Sequence, residues 1–195
     1  MPRPEVKGER TDEILDAFER CIVRYGAEGS TLDRIANEAG LARGLLRHHV
    51  GNRDALFGAL VDRFLERSNA DIMQVFADLP AQNRAETLLD WLFDATYSDA
   101  RSELIAEALT AAAVDDAALA TRLRRWTEGY RWALAAEFER NHPGAEPGAC
   151  ADVAAGIVGI TFTVESLSLL GRMGKYRAAS KRAARRLIAT LGKNR

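Results

Sequence analysis

The stretch "LARGLLRHHVGNRDAL", residues 41–56, places Arg43, Arg47, His48, His49 and Arg53 ahead of or beside its only acid, Asp54. Guanidinium and imidazole groups at this density suit a polyanion. On a helix that begins near Arg43, residues four apart share a face, so Arg43 and Arg47 point one way with Gly44 and His48, while Leu46 and Val50 point another. An apolar pair can then dock to a core and leave the basic pair outward. Such a helix fits the DNA major groove, where arginine donates two hydrogen bonds to guanine and further cations neutralise flanking phosphates. Gly44 permits close approach of a backbone, and Leu45, at the edge of the same face, can meet a thymine methyl. The competing reading is that Arg43, Arg47 and Arg53 merely solvate a helix; the elements around them decide between the two.

Other chemistries find little support. Adjacent helical residues such as His48 and His49 diverge by roughly 100°, whereas helical metal ligands stand at i and i+4. His49 is expected to pack partly against its domain with its tip toward phosphate, and His142 reads as a loop histidine. The C-terminal half shows no glycine-rich phosphate loop, no His/Cys/Asp cluster with metal spacing and no nucleophile-and-base motif. Neither a cofactor, a metal nor a catalytic residue is expected.

The elements that must position the basic stretch are helical. Prolines are confined to the N-terminus, Pro80, Pro143 and Pro147, and apolar residues recur at three-to-four spacing. A helix over about 11–25 carries Ile14, Phe18, Ile22 and Tyr25 as one stripe, stopped by Gly26. The next opens at "STLD", capped by Ser30 or Thr31, with Asp33 as a shorter capping-box partner and Leu32, Ile35, Ala36 and Ala39 inward. Gly40 ends it, and a third helix over about 43–50 follows at once, which is the spacing of a helix-turn-helix. Asn52 is placed to cap a long fourth helix bounded by Pro80. Further helices are expected at about 84–97, 102–113, 116–141, 148–173 and 175–191.

The predicted fold is therefore all-α with about nine helices: a three-helix DNA-binding domain over 1–55 and a second helical domain over 56–195. The 195 residues suffice for a substantial core, with 47% hydrophobic and 28% charged residues. A formal net charge of −1 means that nucleic-acid affinity must come from a local patch. Cys21 and Cys150 read as reduced packing thiols, which points to the cytoplasm. The N-terminus has no apolar signal core, and "ADVAAGIVGITFTVESLSLLG", interrupted by Asp152 and Glu165, reads as a buried helix rather than a membrane span.

The run "EILDAFERCIVRYGAEGSTLDRIANEAGLARGLLRHHVGNRDALF" resembles the TetR family of bacterial transcription repressors. Ala17 and Phe18, Gly26, the pair Ser30 and Thr31, "IANEAGL", Gly44 and the "HVGNRDAL" junction carry the resemblance. It covers about a quarter of the chain and is specific in order and spacing. By resemblance Arg43, Gly44, Leu45, Arg47 and His48 face DNA, Thr31 contacts the DNA backbone at a helix start, and Arg53 clamps phosphate. Arg47 stands where the family usually has tyrosine and Arg53 where it usually has lysine, so base preference does not transfer.

Beyond residue 57 no motif is as specific. Trp91, Phe93, Tyr97, Trp126, Tyr130, Trp132 and Phe138 either line an apolar cavity or simply fill a core. The resemblance implies a small effector held between helices within 53–141, and the aromatic bias suggests a hydrophobic or aromatic compound with Trp91, Tyr97, Trp126 and Tyr130 as its contacts. Gly156 and Gly159 permit close helix approach, and with Leu187, Ile188 and Leu191 they suit a four-helix homodimer interface. The basic residues after Glu165, namely Arg172, Lys175, Arg177, Lys181, Arg182, Arg185, Arg186, Lys193 and Arg195, read as a solvated outer face. The expectation is a homodimeric regulator that binds double-stranded operator DNA and is released by a small-molecule effector. The competing expectation is a helical enzyme or partner-binding protein with a vestigial helix-turn-helix.

Overall fold

The computed structural model describes residues 4–96, 99–171 and 173–192, with side chains from Gly8 onward. Among them every regular element is helical: α1 (Pro4–Gly29), α2 (Leu32–Glu38), α3 (Arg43–Val50), α4 (Arg53–Asp78), α5 (Arg84–Leu92), α6 (Ala100–Ala112), α7 (Ala117–Asn141), α8 (Pro147–Ser168) and α9 (Gly174–Thr190). They form two compact units, residues 1–68 with 104–120, and residues 69–103 with 121–195.

In the first unit α1 packs on α2 and α3, and α2 on α3. Ile14, Phe18, Cys21, Ile35, Leu46, Leu56 and Leu60 are fully buried there, and the Phe18 and Phe57 rings lie 6.5 Å apart. Burial pushes the Cys21 thiol up from its ordinary value, which keeps it protonated and suits a packing group. Two features of α1 differ from the sequence expectation. The helix starts well before Thr11, and it continues past Gly26 only through a break at that glycine, whose φ is +70°. Because the helical direction is lost there, Tyr25 does not extend the buried stripe; it is exposed, with the Arg34 guanidinium 4.4 Å over its ring.

A buried ion pair fastens α1 to α4. Arg63 Nη2 donates to Glu19, both nearly inaccessible to solvent, and lies 3.0 Å from Asp16 Oδ1, while Nη1 donates to the Asp12 carbonyl at 3.2 Å. Multiple acceptors offset the desolvation of the guanidinium, which a single exposed partner would not do.

The second unit has a core of Leu88, Leu89, Leu134, Phe138, Cys150, Ala154 and Ile157. Helix α8 is long and apolar enough to cross a bilayer by length and composition, yet Val153, Ala154, Ile157, Val158, Thr161 and Val164 form part of this core. Gly156 has a local reason: a Cβ there would stand 3.2 Å from Leu187 Cδ1, so its missing side chain lets α8 and α9 approach within the chain.

Of the basic residues read as a solvated face, Lys175, Arg182 and Arg186 are exposed, Arg172, Lys193 and Arg195 lie outside the described residues, and three others are paired. Arg177, Lys181 and Arg185 recur at spacing four and share one face. Arg177 Nη1 meets Glu165 of α8 at 2.8 Å, Lys181 meets Asp90 and Arg185 meets Glu86, both on α5. The Arg185 hydrogen bond holds the Glu86 carboxyl below the usual carboxylate range. Arg84 opens α5 by donating to Glu137 of α7 from Nε at 2.6 Å and Nη2 at 3.0 Å, and to the carbonyls of Phe76, Leu79 and Pro80 at the end of α4. Asn141 and Arg140 complete the shell around the buried Glu137.

Candidate nucleic-acid interface

The local geometry of α2 and α3 follows from a few residues. Thr31 caps α2, its hydroxyl accepting from the Arg34 N–H at 3.3 Å. Ser30 is buried and instead donates from Oγ to the Gly26 carbonyl at 2.6 Å. With the cap at Thr31, Asp33 sits one position early for a capping box, and its carboxylate turns to Arg43.

The turn is made by Gly40, at φ +66°. Its N–H donates to the Asn37 carbonyl at 3.2 Å, and the Leu41 N–H donates to that of Ala36 at 2.8 Å, the paired closure of a Schellman motif that only a left-handed residue completes cheaply. Helix α3 then runs to Gly51, at φ +78°, and Asn52 Oδ1 accepts from the Ala55 N–H at 2.8 Å to start α4. Arg20 and Arg24 of α1 grip Glu38 at 2.6 and 3.0 Å, and the Arg20 hydrogen bond holds that carboxyl below its usual range.

Helix α3 is divided as its spacing predicts. Leu46 is fully buried and Val50 partly so, whereas Arg43, Gly44, Leu45, Arg47 and His48 are exposed. Arg43 Nη1 lies 3.0 Å from Asp33 Oδ2, with both side chains more than half exposed. Among the described residues Arg47 makes no ion pair. A Cβ on Gly44 would meet nothing within 4 Å, so the backbone there is open to whatever approaches. Leu45 leaves 45% of its surface in solvent, a solvation cost that a partner's apolar group would relieve.

The two histidines meet edge-on at 5.6 Å, with His49 half-buried and its Nδ1 enclosed without a hydrogen-bond partner among the described residues. Arg53 differs from the other basic residues. It is half-buried, and its guanidinium donates to the Ser30 carbonyl and, at 2.6 Å, to that of Ala27. These backbone acceptors were not foreseeable from spacing, because they depend on how α1 ends.

In the second unit the structure brings Trp126 and Tyr130 together through a residue that sequence reasoning missed. Phe162 of α8 stacks on Trp126 at 5.8 Å and on Tyr130 at 6.2 Å. Burial raises the Tyr130 phenol well above its ordinary value, against a hydrogen bond with Thr161 that acts the other way. Trp91 packs against the core cluster, and Tyr97 lies outside the described residues. Phe93 and Phe138 are core. Trp132 lines nothing: it is 61% exposed beneath the Arg131 guanidinium at 4.6 Å, because it sits on the outer side of α7.

A short capped helix, a glycine turn and a second helix with one apolar and one basic face define a helix-turn-helix protein. Residues 14–60 match the model of the bacterial regulatory proteins of the tetR family. The chain is 35% identical over 88 residues to an HTH-type transcriptional repressor of Mycobacterium tuberculosis, covering 43% of this chain and 46% of that one. It thus spans about half the length of the curated relatives it matches. Among solved structures, a TetR transcription regulator from Haloarcula marismortui superposes with a TM-score of 0.78 at 20% identity, over 94% of this chain and 98% of that one. The multidrug binding protein EbrR, complexed with imidazole, superposes with a TM-score of 0.61 at 24% identity, over 91% and 94%. The likeness to the tetR family is carried by residues 14–60, about a quarter of the chain.

Proposed function

We propose that this protein is a DNA-binding transcriptional regulator that acts as a homodimeric repressor and leaves its operator when a small hydrophobic or aromatic effector binds. The observation that carries the reading is the division of α3, with Leu46 fully buried and Arg43, Gly44, Leu45, Arg47 and His48 exposed on the other face. Exposed arginines flanking an open glycine can read base edges, and the exposed leucine offers an apolar contact that water does not reward. The Mycobacterium tuberculosis relative is itself named a repressor.

Dimerisation through the outer faces of α8 and α9 has support in the open position of Gly159 and in the exposure of Tyr176 on α9 and of Leu170 between the two helices. Two-fold symmetry would then pair two recognition helices with a pseudo-palindromic site. For the effector, the stacked rings of Trp126, Tyr130 and Phe162 favour a flat apolar ligand. The structural neighbour EbrR is described as multidrug binding.

Selection of duplexes from a random pool by the full-length protein, followed by polarisation titrations against the upstream DNA of its own gene, tests the central claim. Recovery of one palindromic sequence class supports it. Failure to prefer any duplex at low salt without effector refutes it.

A further inference from the structure

We propose that Arg53 is a positioning residue that closes the base of the helix-turn-helix, and not a phosphate ligand; this rests on the DNA-binding reading of α2 and α3. Arg53 opens α4, directly after Gly51 and Asn52. Its guanidinium donates to the carbonyls of Ala27 and Ser30, which lie between the break in α1 at Gly26 and the Thr31 cap of α2. Helix α2, the Gly40 turn and α3 therefore form a loop whose two ends are joined by one side chain.

The ends of that loop are its weak points. Gly26 and Gly51, at φ +70° and +78°, flank it, and glycine carries the least steric restriction on backbone rotation. The tie bridges both. Its acceptors also suit a cation, since carbonyls at the end of a helix concentrate partial negative charge. Neighbouring donors serve the same turn: Ser30 Oγ on the Gly26 carbonyl and Arg34 Nη1 on that of Gly29, each at 2.6 Å. Two carbonyls separated along the chain match the pre-organised planar fork of a guanidinium, whereas a lysine ammonium presents its donors as a compact, freely rotating head. With Nη1 and Nη2 both engaged on these carbonyls, the guanidinium is anchored between the two ends of the loop. Its contribution to DNA binding is to hold α3, with Arg43 and Arg47, in one placement before DNA arrives.

The full-length protein, Arg53→Met and Arg53→Lys are titrated against the selected duplex over a range of salt. Amide exchange is followed at Thr31–Arg34 without DNA. Positioning predicts that Arg53→Met weakens specific binding at least tenfold, by order of magnitude, with an unchanged slope of log affinity against log salt, that Arg53→Lys restores little, and that those amides exchange faster. It also predicts non-additive losses with Arg43→Ala, because Arg53 acts through the placement of α3.

A slope shallower by about 0.9 in Arg53→Met with full rescue by lysine would make Arg53 a phosphate ligand and overturn the proposal. So would unchanged affinity or unchanged exchange. If Arg53→Met does not fold, Arg53→Lys carries the test: weakened binding at wild-type slope supports positioning, and wild-type affinity refutes it. A wild-type protein that selects no duplex refutes the DNA-binding reading itself, and this inference falls with it.

Discussion

Replacing Arg43 by alanine separates recognition from stability with little ambiguity. In the free protein Arg43 has an ion pair with Asp33 at 3.0 Å, but the two side chains are 56% and 60% exposed, and such pairs contribute about 0–1 kcal/mol. For a chain of this size that corresponds to a melting shift below roughly 4 °C. If Arg43 donates two hydrogen bonds to guanine, its loss costs about 1–3 kcal/mol of specific binding, or roughly 5–150-fold. Asp33 sharpens the case, because its carboxylate beside Arg43 repels an incoming phosphate, by less than about 1 kcal/mol in water. Asp33→Asn should therefore tighten binding to every duplex by less than about fivefold while reducing discrimination at the base that Arg43 reads. Polarisation titrations on the selected operator and its single-base variants, at fixed salt, measure both effects, with thermal unfolding run alongside. Equal loss of affinity for all variants of the operator, or a melting shift far larger than the exposed pair allows, would refute the assignment of Arg43 to base reading.

Four further outcomes are expected. Leu46→Ala, which empties a fully buried site beneath the recognition face, should destabilise the first unit by about 2–5 kcal/mol, to be read in denaturant unfolding. Arg84→Met should destabilise the second unit in denaturant unfolding, because the buried Glu137 is left with Arg140 and Asn141 alone. Burial pushes the Glu137 carboxyl up, but hydrogen bonds from Arg84 and Asn141 outweigh it and leave the group below its ordinary value. A lowered carboxyl contributes stability that is present above the unfolded value and lost as pH falls through the folded one, so Glu137→Gln should flatten the acid limb of the stability profile. Finally, any effector found by thermal-shift screening must bind operator-bound protein more weakly by the factor by which it weakens DNA binding, typically 5–150-fold at roughly 1–3 kcal/mol of coupling. Calorimetry with and without operator checks this, and a ligand that binds equally well in both is no inducer.

The all-helical class, the helix-turn-helix and the outward face of α3 were legible in the chain itself, because they depend on local chemistry. Thr31 or Ser30, Gly40, Gly51 and Asn52 act on backbone groups within a few residues, and the burial of Leu46 against the exposure of Arg43 and Arg47 follows from helical spacing. Periodicity says only which residues share a face, not what that face meets.

Partners distant in sequence were decided by tertiary packing. Arg53 and Arg47 are alike in type and neighbourhood, yet Arg53 is held by carbonyls 23 and 26 residues away while Arg47 stands in solvent. Trp132 and Phe138, six positions apart on α7, read alike as apolar aromatics; one is exposed and the other is core. Phe162 joined Trp126 and Tyr130 only because α8 packs beside α7. The charged residues of α9, an apparent solvated run, found Glu86, Asp90 and Glu165 across helix contacts. A side chain's type bounds what it can bind, but desolvation and the position of its acceptor determine what it does bind, and both exist only once the helices have packed.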